Sequence, residues 1–197
     1  MLIQRFKTLL RRLRKDMHGA VVVESMIALP LLFWVTMASF EFYEVHRYKA
    51  VREKATYTVA DMISREGCQI TRNYLDKTFV LYNDMLRDRG ANQIRFTVVE
   101  YDGSNDKYEV KWSFLRGDGD LESLPSGELA NGDEILPALS SGQQIILVET
   151  FSTYKPYFRV GMGNSIDMET RIFISPRFVP KVDYKSALEA GDCEDAV

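Results

Sequence analysis

Histidine and cysteine are nearly missing from this 197-residue chain, two of each, and that scarcity removes whole classes of chemistry. His18 and His46 stand far apart, and no G-x-S-x-G nucleophile elbow or H-E-x-x-H zinc pair occurs. No catalytic residue, metal site or cofactor is therefore expected, and the chain is not expected to be an enzyme. Asp118–Glu122 (D-G-D-L-E) lacks the spacing and the glycine of a calcium loop and reads as a solvated acidic turn. An excess of basic charge is missing as well. The 25 Lys and Arg face 28 Asp and Glu, a formal net charge of −3, which leaves no electrostatic footprint for nucleic acid. Internal repeats are also missing. A hydrophobic share of 46% is nevertheless enough for one modest domain with its own core.

The averages hide an asymmetry. Residues 1–19 carry Arg5, Lys7, Arg11, Arg12, Arg14 and Lys15 against the single acid Asp16, so positions 20–197 keep nineteen basic and twenty-seven acidic residues. Between them lies Ala20–Phe40, AVVVESMIALPLLFWVTMASF, whose one charge is Glu24. A run of about 20 apolar residues is what ~30 Å of hydrocarbon requires. We read residues 1–19 as a basic cytoplasmic leader, 20–42 as a single transmembrane helix in the inner (cytoplasmic) membrane, and 43–197 as a periplasmic domain. Arg47, Lys49, Arg52 and Lys54 lie near the far end and are offset by Glu41, Glu44 and Glu53, so the orientation rests on the leader. An ordinary signal peptide has a shorter apolar region of ~7–15 residues. Phe42, Tyr43 and Tyr48 suggest an aromatic belt at the exit.

The junction G-A-V-V-V-E (Gly19–Glu24) before an apolar helix resembles the type IV pilin signature. With G-A-V-V-V-E-S (Gly19–Ser25), Leu29-Pro30-Leu31-Leu32, Glu41-Phe42, V-E-T-F-S-T-Y-K-P-Y-F (Val148–Phe158) and R-I-F-I-S-P-R-F (Arg171–Phe178), the chain resembles the TadE-like minor pseudopilins of the tight-adherence (Flp-type) pilus system. That resemblance implies cleavage after Gly19 by a prepilin peptidase, with Ala20 as the new N-terminus. It also implies work with pilus assembly platform proteins and a sister pseudopilin or the major Flp pilin, in starting or regulating the fibre. Larger relatives with a von Willebrand-like metal site fit poorly, because Asp106 stands where the last Ser of D-x-S-x-S belongs.

Cleavage after Gly19 would leave an ammonium at Ala20 with Glu24 four residues on, ~6 Å along a helix axis. A carboxylate inside a membrane span usually marks function, and one in the first helical turn suits the macrodipole. The resemblance implies that Glu24 meets the N-terminal amine of a neighbouring subunit; the plainer reading is a side chain that snorkels to the interface. Pro30 removes a helical hydrogen bond within the span. Such a proline usually kinks or locally melts a helix, and it is either a hinge or a tolerated kink in a lone anchor.

Beyond the span, Tyr48, Val51, Ala55, Val59 and Met62 keep helical spacing, so one helix is expected from Ala20 to Glu66, stopped by Gly67. That stripe faces either the chain's own domain or another subunit. A second helix is expected over Asn73–Arg89 with Leu75, Phe79, Tyr82 and Leu86 on one face. The period then becomes two, with Ile94-Phe96-Val98 and Tyr108-Val110-Trp112-Phe114 flanking the turn D-G-S-N-D as a hairpin. Residues 115–143 read as a long loop with a short helix near Asp133–Leu139, and two more strands follow at Gln144–Tyr154 and Ile166–Ser175. The fold class is α+β: a long pilin-like N-terminal transmembrane helix, then a second helix and an antiparallel sheet of about four strands. Cys68 and Cys193 both fall in the exported part, where a disulfide worth ~3–5 kcal/mol or two free thiols are the options. The rival to the pseudopilin is an unprocessed, single-pass anchored periplasmic binding protein.

Overall fold

The sequence meets no helix breaker other than Pro30 between Gly19 and Gly67, and the computed structural model carries one helix, α1 (Met17–Ser64, 48 residues), through nearly all of that stretch. At 1.5 Å per residue it is ~70 Å long. The structure describes residues 17–67, 69–86, 91–119, 121–129, 136–158 and 163–185. Strand β1 (Ile70–Thr71) leads into helix α2 (Arg72–Leu86), whose start is fixed by Thr71: its hydroxyl accepts the Tyr74 N–H at 3.3 Å, an N-cap bond. Leu75, Thr78 and Tyr82 face inward from α2.

The rest of the domain is antiparallel sheet, with β2 (Asn92–Asp102), β3 (Lys107–Gly117), β4 (Gly127–Glu128), β5 (Gln144–Tyr154) and β6 (Ile166–Ile174) in the spatial order β4-β3-β2-β5-β6. Four long strands and the two-residue β4 bear out the expected α+β class. A further strand, β7 (Tyr184–Lys185), pairs in parallel with β1. Ile94, Phe96 and Val98 of β2, Trp112 of β3, Ile146 and Val148 of β5 and Ile172 of β6 pack with Ala55, Val59, Ala60 and Ile63 of α1 and Leu75 and Tyr82 of α2. This is the main core, and it lies between the helices and one face of the sheet.

The expected single face Tyr108-Val110-Trp112-Phe114 does not exist. Val98 pairs with Trp112 while Val99 pairs with Val110, so Lys111 is an extra residue in a bulge. A bulge reverses the alternation on the strand that carries it. Trp112 therefore joins the main core, whereas Val110 and Tyr108 join Val99, Ile145 and Leu136 in a second cluster. Leu124, Leu129 and Leu139 cover that cluster, so the segment read as a plain loop over 115–143 gives β3 its last residues, β4, and a lid over the second cluster. Leu136–Leu139 is irregular and not helical, and residues 133–135 of the expected short helix lie outside the described residues. Gly117 ends β3 at φ +105°, where a Cβ would stand 1.9 Å from the Asn92 carbonyl oxygen. Its neighbour Arg116 pairs with Asp76 of α2.

Candidate functional site

The first half of α1 has almost no protein around it. Val21 to Val35 are all exposed, including Val22, Met26, Ile27, Leu29, Leu32, Phe33 and Trp34. The helix is long and apolar enough to cross a membrane, and its most apolar window is not buried in the protein. Its few hydroxyls are satisfied internally: Ser25, Thr36 and Ser39 each donate to the carbonyl four residues back, at 2.8, 2.8 and 2.9 Å. In hydrocarbon every polar group needs such a partner.

The backbone of Gly19 and Ala20 is helical, within the first turn of α1. Glu24 is exposed, one turn further on. Pro30 lies in α1 without interrupting it, so the local melting weighed for this position is absent. Cys68 and Cys193 lie outside the described residues, as do residues 1–16 of the leader.

What the structure brings together is the end of the apolar run. Glu41 follows Phe40 and is fully buried, at 0% exposure. Its Oε1 accepts the Tyr154 hydroxyl at 2.9 Å and its Oε2 accepts the backbone N–H of Phe158 at 3.2 Å. Removing a carboxylate so enclosed would leave both donors unsatisfied, a cost of about 1–3 kcal/mol each. Burial, and then the hydrogen bond to Glu41, pushes the Tyr154 phenol well above its ordinary range. The Phe40 ring meets the Phe158 ring edge-on at 6.4 Å, and Tyr48 packs on Tyr154 at 4.8 Å. Arg52 lies 4.1 Å over the Tyr48 ring. One turn on, Thr56 Oγ1 and Thr150 Oγ1 hydrogen-bond at 3.2 Å. The end of β5 and the turn after it thus grip α1 from Phe40 to Thr56.

A second hold lies at the far end. The Ser64 carbonyl, one of the unpaired acceptors at the helix terminus, receives the Arg177 N–H at 2.8 Å, and the Arg177 guanidinium pairs with Asp61 at 3.0 Å. Downstream, Trp112 Nε1 donates to the Val182 carbonyl at 2.8 Å, Val182 N–H donates to Gln144 Oε1 at 2.8 Å, and Ile70 N–H donates to the Asp183 carbonyl at 2.9 Å. The Gln144 amide in turn donates to Glu100 at 2.9 Å, and this bond, with Lys111 and Lys181 nearby, holds the Glu100 carboxyl below its usual range.

The stripe expected on this half of α1 holds at Ala55 and Val59 and shifts by one residue on either side of them. Val51 is exposed where Arg52 is only 3% exposed, Met62 is half-buried where Ile63 is buried, and the inward face runs Glu41, Arg52, Ala55, Thr56, Val59, Ala60, Ile63, Ser64. It packs against the chain's own sheet. Tyr48, expected in an exit belt, is instead half-buried against Tyr154. Sequence reasoning missed Glu41, Tyr154 and Arg177 as a set. The one available signal was that Glu41 closes an apolar run, a place where a carboxylate without a partner is costly. No protein-family model, curated protein or solved structure matches the chain.

Proposed function

We propose that this protein is a minor pseudopilin of the tight-adherence kind. A prepilin peptidase would process it after Gly19, and it would be anchored in the inner membrane by residues 20–42 with its domain in the periplasm. There it would work with the pilus assembly platform and a sister pseudopilin or the major Flp pilin to start or regulate the fibre. The observation that carries this reading is the division of α1, one continuous helix with a bare apolar half and a half clasped by an α+β domain. A subunit that is held in lipid and then moved into a fibre by its helix needs that build, because the apolar half must be free to exchange lipid for neighbouring helices. Glu24, exposed on the bare half, has no need to leave a fold before meeting another chain's amine.

The test is the N-terminus. The protein extracted from membranes of cells that contain the peptidase should begin at Ala20, and replacing Gly19 by a bulky residue should leave the larger precursor. Glu24→Val should remain inserted while pilus assembly is lost. A chain that keeps Met1 removes the proposal. The rival, an uncut anchored binding protein, has one feature in its favour, an open groove of about 550 Å³ beside Gln93, Leu121, Phe151, Ser152 and Asp167, a size that suits small ligands.

A further inference from the structure

The twenty-one residues from Ala20 to Phe40 cover ~30 Å at 1.5 Å per residue, the thickness of the hydrocarbon layer. If they span it, Phe40 and Glu41 stand at its outer boundary. The Phe158 N–H is bonded to Glu41 and the Phe158 ring lies against Phe40, so the turn after β5, far away in sequence, is fixed at that same depth. The side chains around this junction are aromatic and open. Phe40, Phe42 and Tyr43 of α1 are exposed, as is Phe158, and Tyr157 is 76% exposed. Lys155 beside them and Arg47 above them are exposed cations, Arg47 being bonded to Glu44 at 2.8 Å. In water such a patch is a liability. At the edge of a bilayer it is the preferred setting, with amphipathic rings at headgroup level and cations near lipid phosphates.

We infer that Lys155–Phe158 is a second membrane anchor, which seats the domain on the outer leaflet of the membrane that α1 crosses. The occupant is the lipid interface. This follows from the continuity of the patch with the span and from the depth fixed by the Glu41 bonds, and it rests on α1 being a membrane span. Two contacts with the bilayer, one through α1 and one through the turn, restrict the tilt and rotation of the sheet, which a single helical stalk would leave free.

Tryptophan emission of the full chain tests this in phosphatidylethanolamine–phosphatidylglycerol vesicles with brominated acyl chains. Trp34 lies in the span, and Trp112 is buried in the domain near Tyr184, so W34F keeps a single, shielded emitter. Adding Tyr157→Trp at an open position does not disturb the core. The W34F/Y157W emission should fall in brominated vesicles relative to W34F alone, more with bromines near the headgroup than with deeper ones, and aqueous acrylamide should quench it weakly. Emission insensitive to bromine but strongly quenched by acrylamide would overturn the anchor, since the turn would then be in water. Protection from both quenchers would also overturn it, and would assign the patch to another protein chain. Unmodified Trp34 is the control: if bromine leaves it bright, α1 is not in the bilayer and the span itself fails. Quenching of Trp34 in the native chain, with no bromine response in W34F/Y157W, refutes the second anchor alone.

Discussion

From Val21 to Phe40, α1 presents Val, Ile, Leu, Phe and Trp side chains outward, whereas from Glu41 to Ser64 the same helix buries Glu41, Arg52, Thr56 and Ser64 inside the domain. Exposed apolar side chains in the first half, and polar groups buried beside Ala55, Val59, Ala60 and Ile63 in the second, thus share one rod. Surroundings decide this rather than helix propensity. The first half is long and apolar enough to cross a membrane, and an all-round apolar helix is stable where a bilayer is its solvent. The second half can bury polar groups because the sheet supplies partners, such as Tyr154 for Glu41 and Thr150 for Thr56.

The strongest way to break the comparison is to charge the bare half. Leu29→Arg with Leu32→Arg places two cations near the middle of the span, at about 2.5–3.5 kcal/mol each on insertion scales. The protein should then become extractable from membranes by alkaline carbonate, while Val51→Arg with Tyr57→Arg, also on exposed positions, should leave it membrane-bound. The clasp comes next. Glu41→Ala should lower the unfolding free energy of the detergent-solubilised chain by about 2–4 kcal/mol in denaturant titrations, because the buried Tyr154 hydroxyl and the part-buried Phe158 N–H lose their shared acceptor. Glu24→Ala should leave that value unchanged, since the Glu24 side chain is exposed.

Tyr154→Phe removes one donor and should cost about 1 kcal/mol at neutral pH. It also sharpens the account through pH. The folded state holds the Tyr154 proton more tightly than the unfolded chain does, so its contribution is complete below the ordinary tyrosine pKa and is lost as pH rises through the higher folded value. The stability gap between the native chain and Tyr154→Phe should therefore shrink above about pH 10. If the gap is flat with pH, Tyr154 is not the enclosed phenol described here. The smallest effect belongs to Arg177→Ala. Its pair with the half-buried Asp61 is worth about 0.2–1 kcal/mol, and its backbone bond to Ser64 survives the change.

Much of the fold was legible because it is written locally. The apolar run marks a helix long and apolar enough to cross a membrane, helical spacing carries α1 to within two residues of its end at Ser64, and period-two alternation locates β5 at Gln144–Tyr154. The clasp was not legible. Glu41 bonds residues 113 and 117 positions away, and no local pattern records such a pairing. Arg52 stood outside the expected apolar stripe because a charge is normally exposed, yet its guanidinium lies over Tyr48 and it is buried in place of Val51, while Ala55 and Val59 keep their expected places. The bulge at Lys111 leaves no mark in the alternation of β3, so Val110 and Trp112 looked like one face. The strands β1, β4 and β7 are two residues each, too short to carry a period.

The division of α1 into two solvents can be measured directly by labelling single cysteines with a water-soluble maleimide in sealed membrane vesicles, in a chain with Cys68 and Cys193 replaced by serine. Positions 26, 29, 33 and 57 are all exposed in the protein itself, so only a bilayer would distinguish them. Cysteines at 26, 29 and 33 should resist labelling until detergent is added, and one at 57 should react from the side that holds the domain. Equal reaction at all four positions would show that the bare half of α1 stands in water, and would contradict the account.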